Sequence, residues 1–335
     1  MGAGNSHEVE NGKQGGSDSA RLQPRTGATR DGVPLSFNRP PAADLEPWLG
    51  RVMVAVAQAP DDYVVNGLLC NDASYIRTAI GVDWTVGTAD GELRIRDETF
   101  VCGQHSKAMP LEYVGGIKVA GMMFRPGAFR AIWGKDDGPL IDRIKPTEFI
   151  GVPDAELTSL YDADKDPLDW LIAMEDWLRH YIARHGIQPP ERVSQKFEAA
   201  AFADPNQSIN DFAEDNGVTP RTLQRIIKRD YGMTPKQVMR RARTLDLAAR
   251  LCGVADEEEE EIYLRFFDQS HQIREFTTFF SMTPKQFVSE RQGLLTLSLE
   301  IRQARRLEVL HRLEPDSIRP WMREPFVPVV SQTAS

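Results

Sequence analysis

The pentapeptide Met-Thr-Pro-Lys-Gln occurs twice in this chain, beginning at Met233 and at Met282. In each copy a Thr comes directly before a Pro, and a Gln follows the Thr by three residues. A Thr N-cap accepts a hydrogen bond from an unpaired helix N–H, a Pro at the first helical position needs no donor, and a Gln at the third position reaches back to the cap. Each copy therefore predicts a helix that begins with a capping box, after Thr234 and after Thr283.

The similarity between the two copies extends upstream of the capping boxes. An offset of 49 residues aligns helix caps, arginines and apolar positions in the same order. The repeated unit is therefore predicted to be a helix, a tight turn, a second helix and the start of a third helix. The aligned pairs are Thr219 with Asp268, both predicted N-caps, Arg225 with Arg274, Ile227 with Phe276, and Tyr231 with Phe280.

The first copy shows the pattern of a helix-turn-helix. Ser208 is predicted to cap a short helix, Gly217 to form the turn, and Thr219 to cap the second helix. The second helix of such a unit enters the major groove of DNA. The sequence therefore predicts two recognition helices, at 219–229 and 268–280, and a merely solvated helix face is the alternative interpretation.

The candidate DNA-binding residues lie on the open faces of these helices and at the start of the helix after each unit. Arg pairs with guanine and Gln with adenine in the major groove. The candidates are Arg221, Thr222, Gln224, Arg225 and Lys228 in the first unit, Gln269, Ser270, His271 and Arg274 in the second, and Lys236 and Lys285 within the capping boxes.

Charge distribution supports a nucleic-acid partner although the net charge is −9. Nine basic residues lie between 219 and 250, opposed there only by Asp230 and Asp246. Such a basic island can neutralise phosphates. A helix predicted over 235–251 would separate the two units by roughly 25 Å, comparable to the roughly 34 Å between successive major-groove faces.

Residues 208–287 resemble the twin helix-turn-helix domain of AraC/XylS-type transcription regulators. The resemblance implies a bacterial cytoplasmic regulator that binds double-stranded promoter or operator DNA, with RNA polymerase, a small-molecule effector and a second copy of the chain as further partners. It implies neither a cofactor nor an enzymatic activity. The matching residues are Ala213, Gly217, Leu223, Arg225, Gly232, Pro235, Arg243, Asp268, Ser270, Arg274, Phe276 and Pro284.

The second unit departs from the family pattern in three places. Arg265 replaces a usual Gly, Gln272 replaces a usual apolar residue, and an acidic run occupies 256–261. Carboxylates suit a helix N-terminus but repel phosphate. We therefore expect the first recognition helix to contribute more to affinity than the second.

The rest of the chain predicts an α+β protein in which a β-rich N-terminal domain precedes an all-α C-terminal domain. Short apolar runs split by turn residues indicate strands over 35–134, with a hairpin turn at Asp90-Gly91. This segment loosely resembles a sensing domain of AraC-like proteins. The predicted divisions are a disordered tail at 1–34, a β-rich domain at 35–134, a helical connector at 135–200, the twin unit at 201–290, and a C-terminal helix (294–313) and tail at 291–335.

Two other functional classes remain open from the sequence. One is an enzyme domain fused to a helical docking domain, although the histidines, cysteines and carboxylates form no convincing catalytic or metal-binding pattern. The other is a helical protein-interaction module that has lost its affinity for DNA. No apolar run reaches the length of a membrane span, and three widely spaced cysteines fit a reducing cytoplasm.

Overall fold

The computed structural model describes residues 25–28, 34–57, 60–162, 165–254, 269–290, 293–319, 322 and 327–328. The fold is α+β, with β-strands in the N-terminal half and helices in the C-terminal half. The acidic run at 256–261, Arg265 and the predicted cap Asp268 lie outside the described residues, as does most of the predicted tail.

The N-terminal half forms two antiparallel sheets. The larger sheet has the order β11-β8-β5-β10-β3-β2-β1-β12, and the smaller has the order β4-β9-β6-β7. The strands are β1 Arg25–Ala28, β2 Pro34–Arg39, β3 Leu49–Ala57, β4 Val64–Leu69, β5 Ser74–Ala79, β6 Asp83–Thr88, β7 Gly91–Ile95, β8 Thr99–Cys102, β9 Met109–Val114, β10 Ile117–Phe124, β11 Ile144–Pro146 and β12 Val327–Pro328.

Side-chain alternation along the strands builds two cores. On β10, Val119 and Met123 face the space between the sheets, where they pack with Trp84 of the smaller sheet. Met122 and Phe124 face the opposite side of the larger sheet and are buried against helical residues. The hairpin predicted at Asp90-Gly91 is confirmed, because β6 pairs with β7 across it.

Three strands lie where the sequence indicated none. Arg25–Ala28 pairs with both Pro34–Arg39 and Val327–Pro328, so the prediction of disorder over 1–34 is wrong at these residues. Ile144–Pro146 pairs with Thr99–Cys102 inside the segment predicted as a helical connector. The larger sheet therefore draws strands from both ends of the sequence, through pairings that no local pattern could indicate.

The helices follow their predicted caps. Ser208, Thr219, Thr234 and Thr283 each accept from the backbone N–H expected of an N-cap, and both capping boxes are complete. Asp166 caps Pro167–His185 in the same way. The helices are α1 Ala128–Trp133, α2 Asp154–Thr158, α3 Pro167–His185, α4 Arg192–Ala203, α5 Ile209–Asp215, α6 Pro220–Tyr231, α7 Pro235–Leu251, α8 Gln269–Phe280, α9 Pro284–Ser289 and α10 Gly293–Leu313.

The C-terminal helix α10 contacts both halves of the protein. Leu297 and Ile301 insert into the core between the two sheets, while Leu295 and Leu299 pack with aromatic residues of α8. The predicted helix at 294–313 is thus confirmed, and it joins the two halves. No helix in the described part of the chain combines the length and apolar character needed to cross a membrane.

Candidate nucleic-acid interface

The first helix-turn-helix unit consists of α5 and α6. Gly217 forms the turn with a φ of 64°, a conformation that favours glycine. Leu223 and Ile227 of α6 are fully buried with Phe212 and Ala213 of α5. Packing of this face fixes the angle between the two helices and leaves the opposite face of α6 open.

The open face of α6 presents four of the predicted side chains to solvent. Arg221, Gln224, Arg225 and Lys228 are exposed, and together with the half-buried Thr222 they line a shallow groove. Within the described part of the chain, no hydrogen bond or ion pair engages these four side chains, whereas Thr222 bonds to the Thr219 cap. Two guanidinium groups, one amide and one ammonium group are therefore available on one helix face.

The second unit is described from α8 onward. Arg274 and Ile273 are exposed on α8, and Lys285 is exposed on α9. The backbone at Gln269, Ser270 and His271 is helical, but their side chains lie outside the described residues. The buried face of α8 is an aromatic cluster in which the Phe276 ring lies 5.1 Å from that of Phe287.

Residues 212–290 match a family model described as a helix-turn-helix domain. The match spans both units and the helix that joins them. This region is an AraC-type helix-turn-helix domain. Its paired capping boxes and the positions of helices α6 and α8 correspond to the expectations drawn from the repeat, and the domain belongs to the class that binds DNA and regulates transcription.

Solved structures give weaker likenesses. ToxT from Vibrio cholerae aligns with 71% of this chain and 98% of that chain at 8% identity and a TM-score of 0.42. ToxT bound to an unsaturated fatty acid aligns with 71% of this chain and 94% of that chain at 10% identity and a TM-score of 0.39. The C-terminal domain of AraT from Geobacillus stearothermophilus covers 30% of this chain and 84% of its own length, at 21% identity and a TM-score of 0.26. No curated protein matches the chain.

The basic island of the AraC-type domain is smaller than the sequence indicated. Arg229 pairs with Asp230 at 2.6 Å and Glu191 at 3.1 Å, Arg243 bonds to the Pro205 carbonyl and to Glu275 of α8, and Arg241 is buried. The exposed basic residues of this stretch are Arg221, Arg225, Lys228, Lys236 and Arg240. Arg240 was counted in the basic island but was not among the candidate DNA-binding residues, although its position four residues after Lys236 places both on one helix face.

Arg243 connects the segment before the first unit to the second unit of the AraC-type domain. Its guanidinium donates to the Pro205 carbonyl at 3.0 Å and lies 3.3 Å from the Glu275 carboxylate on α8. An arginine in the linker helix α7 is thereby engaged by protein acceptors on both sides of that helix.

One cluster of residues bears on the enzymatic alternative. Ser106, His105 and Asp142 lie together, but the Ser106 hydroxyl donates to Asp142 rather than to His105. The His105 ring instead contacts the Asn71 backbone and the Leu69 carbonyl, and burial lowers its pKa to about 4. A hydrolase triad requires the histidine between serine and carboxylate. This cluster therefore joins two loops and is not arranged for nucleophilic catalysis.

Proposed function

We propose that the chain is a sequence-specific transcription regulator that reads double-stranded DNA with helices α6 and α8. The observation that carries the proposal is the division of α6 into a buried apolar face and an open face. That open face carries Arg221, Gln224, Arg225 and Lys228, whose side chains form no hydrogen bond or ion pair with the described residues. A merely solvated helix commonly engages such side chains in intrahelical pairs, whereas a DNA-reading helix keeps them available.

The side chains divide into two roles by type and position. Arg225 and Gln224, adjacent on α6, are suited to base edges, because Arg bonds bidentately to guanine and Gln to adenine. Lys228, Lys236 and Arg240 are suited to phosphates, because flexible cations on the flanks fix register without reading sequence. Loss of a base contact should therefore change sequence preference, and loss of a phosphate contact should change salt dependence.

The two recognition helices should recognise different chemical groups of the bases. The repeat places Ile273 of α8 at the position of Gln224 of α6, and Ile273 is an exposed large apolar side chain. An apolar side chain in the major groove contacts the thymine methyl group. We expect the second helix to recognise thymine through Ile273, beside a guanine contact from Arg274.

The β-rich half, residues 25–146, is proposed to control DNA binding by the AraC-type domain. Buried polar contacts support this role, because Arg241 of the linker helix donates to Gln104 Oε1 at 2.8 Å and to the Asp72 carbonyl at 3.2 Å. RNA polymerase, a small-molecule effector and a second copy of the chain remain the further partners that the family resemblance predicts.

The test is selection of duplexes from a randomised pool by the full chain, followed by titration of the selected site at fixed salt. Arg225→Ala should weaken binding and relax the preference at one base pair. Arg184→Ala is the matched control, because Arg184 is an exposed arginine on α3, outside the AraC-type domain. Failure of the wild-type chain to enrich any sequence would refute the proposal.

A further inference from the structure

One loop of the β-rich half contacts the C-terminal ends of both recognition helices. The Ala108 N–H donates to the Phe279 carbonyl of α8 at 2.7 Å, and Gln104 Nε2 donates to the Asp230 carbonyl of α6 at 3.4 Å. The 49-residue offset makes Asp230 and Phe279 equivalent positions of the repeat. The last four carbonyls of a helix have no intrahelical donor, so the 103–108 loop supplies donors at the same place in both units.

The same loop also contacts the linker helix. Arg241 of α7 donates to Gln104 Oε1 at 2.8 Å and to the His105 carbonyl at 3.3 Å. Arg241 is only 5% exposed. A buried guanidinium requires hydrogen-bond acceptors, so the loop is a required partner of the helix that separates the two units. Gln104 thus bonds to α6 with its amide nitrogen and to α7 with its amide oxygen.

Residues 140–142 hold the 103–108 loop in place. The Asp142 N–H donates to the Gln104 carbonyl at 3.1 Å, and Asp142 Oδ1 accepts from the Ser106 N–H at 2.7 Å. A Cβ at Gly103 would overlap the Leu140 carbonyl oxygen, so the 103–108 loop and residues 137–142 pack backbone to backbone. Residues 137–142 contact α6 as well, since the Asp137 N–H donates to the Arg229 carbonyl at 2.9 Å.

We propose that the 103–108 loop is a positioning element that fixes α6 and α8 relative to each other, so that the chain reads two DNA half-sites at one preferred separation. This inference rests on the proposed function. A loop that only stabilised the fold would not need to contact equivalent carbonyls of both helices and the linker between them. Because all three contacts arise from six consecutive residues, any displacement of the loop would move the ends of both recognition helices together.

The test uses the full chain and Gln104→Met, which keeps the side-chain length and removes both hydrogen bonds. The probes are the duplex selected by the wild-type chain and derivatives with one to five base pairs inserted between its half-sites. The wild-type chain should lose about tenfold or more at five inserted base pairs, half a turn of DNA. The variant should lose roughly 3- to 10-fold less across the insertion series, the range expected for the one lost hydrogen bond that reaches a recognition helix, from Gln104 to the Asp230 carbonyl.

Gln195→Met is the matched control. Gln195 of α4 also donates its amide to a carbonyl across the same two halves of the chain, at 2.8 Å from Pro47 O, but its side chain makes no hydrogen bond to either recognition helix within the described residues. It should keep the wild-type spacing profile. If Gln104→Met also keeps that profile, the positioning role is wrong. If Gln104→Met does not fold, Gln104→Glu replaces it, because it retains acceptors for Arg241 and removes only the donor to Asp230.

Amide hydrogen exchange separates this inference from the proposed function, because it needs no DNA. In Gln104→Met, the last turns of α6 and α8 should both exchange faster, roughly 3- to 10-fold. Joint loosening supports the positioning element even if the wild-type chain selects no DNA, which would refute only the proposed function. Faster exchange confined to α6, the helix that Gln104 directly contacts, would overturn the shared role of the loop.

Discussion

Opposite substitutions at two equivalent positions of the repeat, one to glycine and one from glycine, should change stability in opposite directions. Gly232 ends α6 with a φ of 67°, and Ser281, 49 residues later, follows α8 with a φ of 58°. This left-handed conformation costs a non-glycine residue about 1–2 kcal/mol. Ser281→Gly removes that cost but adds about 0.4–1 kcal/mol of unfolded-state entropy. The variant should therefore be about 0.5–1 kcal/mol more stable.

Gly232→Ala should be destabilising for two reasons. It introduces the same left-handed strain, and a Cβ there would lie 2.4 Å from Ile141 Cγ1 and 3.0 Å from the Asp137 carbonyl oxygen. Overpacking of this kind costs about 1–3 kcal/mol. After the unfolded-state gain of alanine, the free energy of unfolding should fall by about 2–3 kcal/mol.

Urea titrations followed by circular dichroism measure both changes. Gly186→Ala is the control, because Gly186 has a φ of 62° and an added methyl group would meet no atom within 4 Å, so it isolates backbone strain. Its cost should be about 1 kcal/mol, between the other two values. Changes of the same sign at Gly232 and Ser281 would refute the reasoning, because strain that is relieved at one position and introduced at the other must change stability in opposite directions.

Three further predictions concern DNA and pH. Arg225→Ala should cost about 1–3 kcal/mol of binding and Arg274→Ala less, measured by titration on the selected site and its single-base variants; an equal or larger loss at Arg274 contradicts this asymmetry. Replacing thymine by uracil in the second half-site should weaken the wild-type chain but not Ile273→Ala, and equal losses in both would exclude a methyl contact. Burial raises the pKa of Asp137 to about 8, so the folded chain keeps a proton that the unfolded carboxyl releases above its ordinary pKa of 3.8. Stability contributed by this group is therefore lost as pH rises from about 4 to about 8. Asp137→Asn should raise the free energy of unfolding at pH 8 more than at pH 5. Urea titrations at both pH values would detect this difference.

The helix-turn-helix domain was predictable from the sequence, because its helices are specified by contacts between residues that are close in the chain. Capping boxes, the turn glycine Gly217 and the apolar faces of the helices depend on residues within one or two turns of each other. Thr234 and Thr283 therefore have the cap contacts that their neighbours predict. The hairpin at Asp90-Gly91 was predictable for the same reason, because its two strands are adjacent in the sequence.

Non-local partners account for what the sequence did not reveal. Arg240 and Arg241 are neighbours in the chain, yet one is exposed and the other is buried against a loop that lies 136 residues away in sequence. Residue type gave the wrong expectation for Arg241, because arginine is seldom buried without partners and its partners lie in another part of the chain. The strand Arg25–Ala28 was missed similarly, since its composition is that of a tail and it pairs in part with distant residues.

The arginines of α10 limit how far the AraC-type domain can be treated as an interchangeable module. Arg302 lies 3.2 Å from the Asp72 carboxylate of the β-rich half and 2.6 Å from the Asp246 carboxylate of the linker helix. Arg305 adds a second bond to Asp72 at 2.9 Å. A chimera that joined this domain, ended at residue 290, to a foreign N-terminal domain would lack Arg302 and would lose its buried ion pair with Asp246, and loss of one partner of such a pair costs about 3–5 kcal/mol. Exchange of the β-rich half of this protein therefore requires that α10 and the carboxylates it pairs with be transferred as one set.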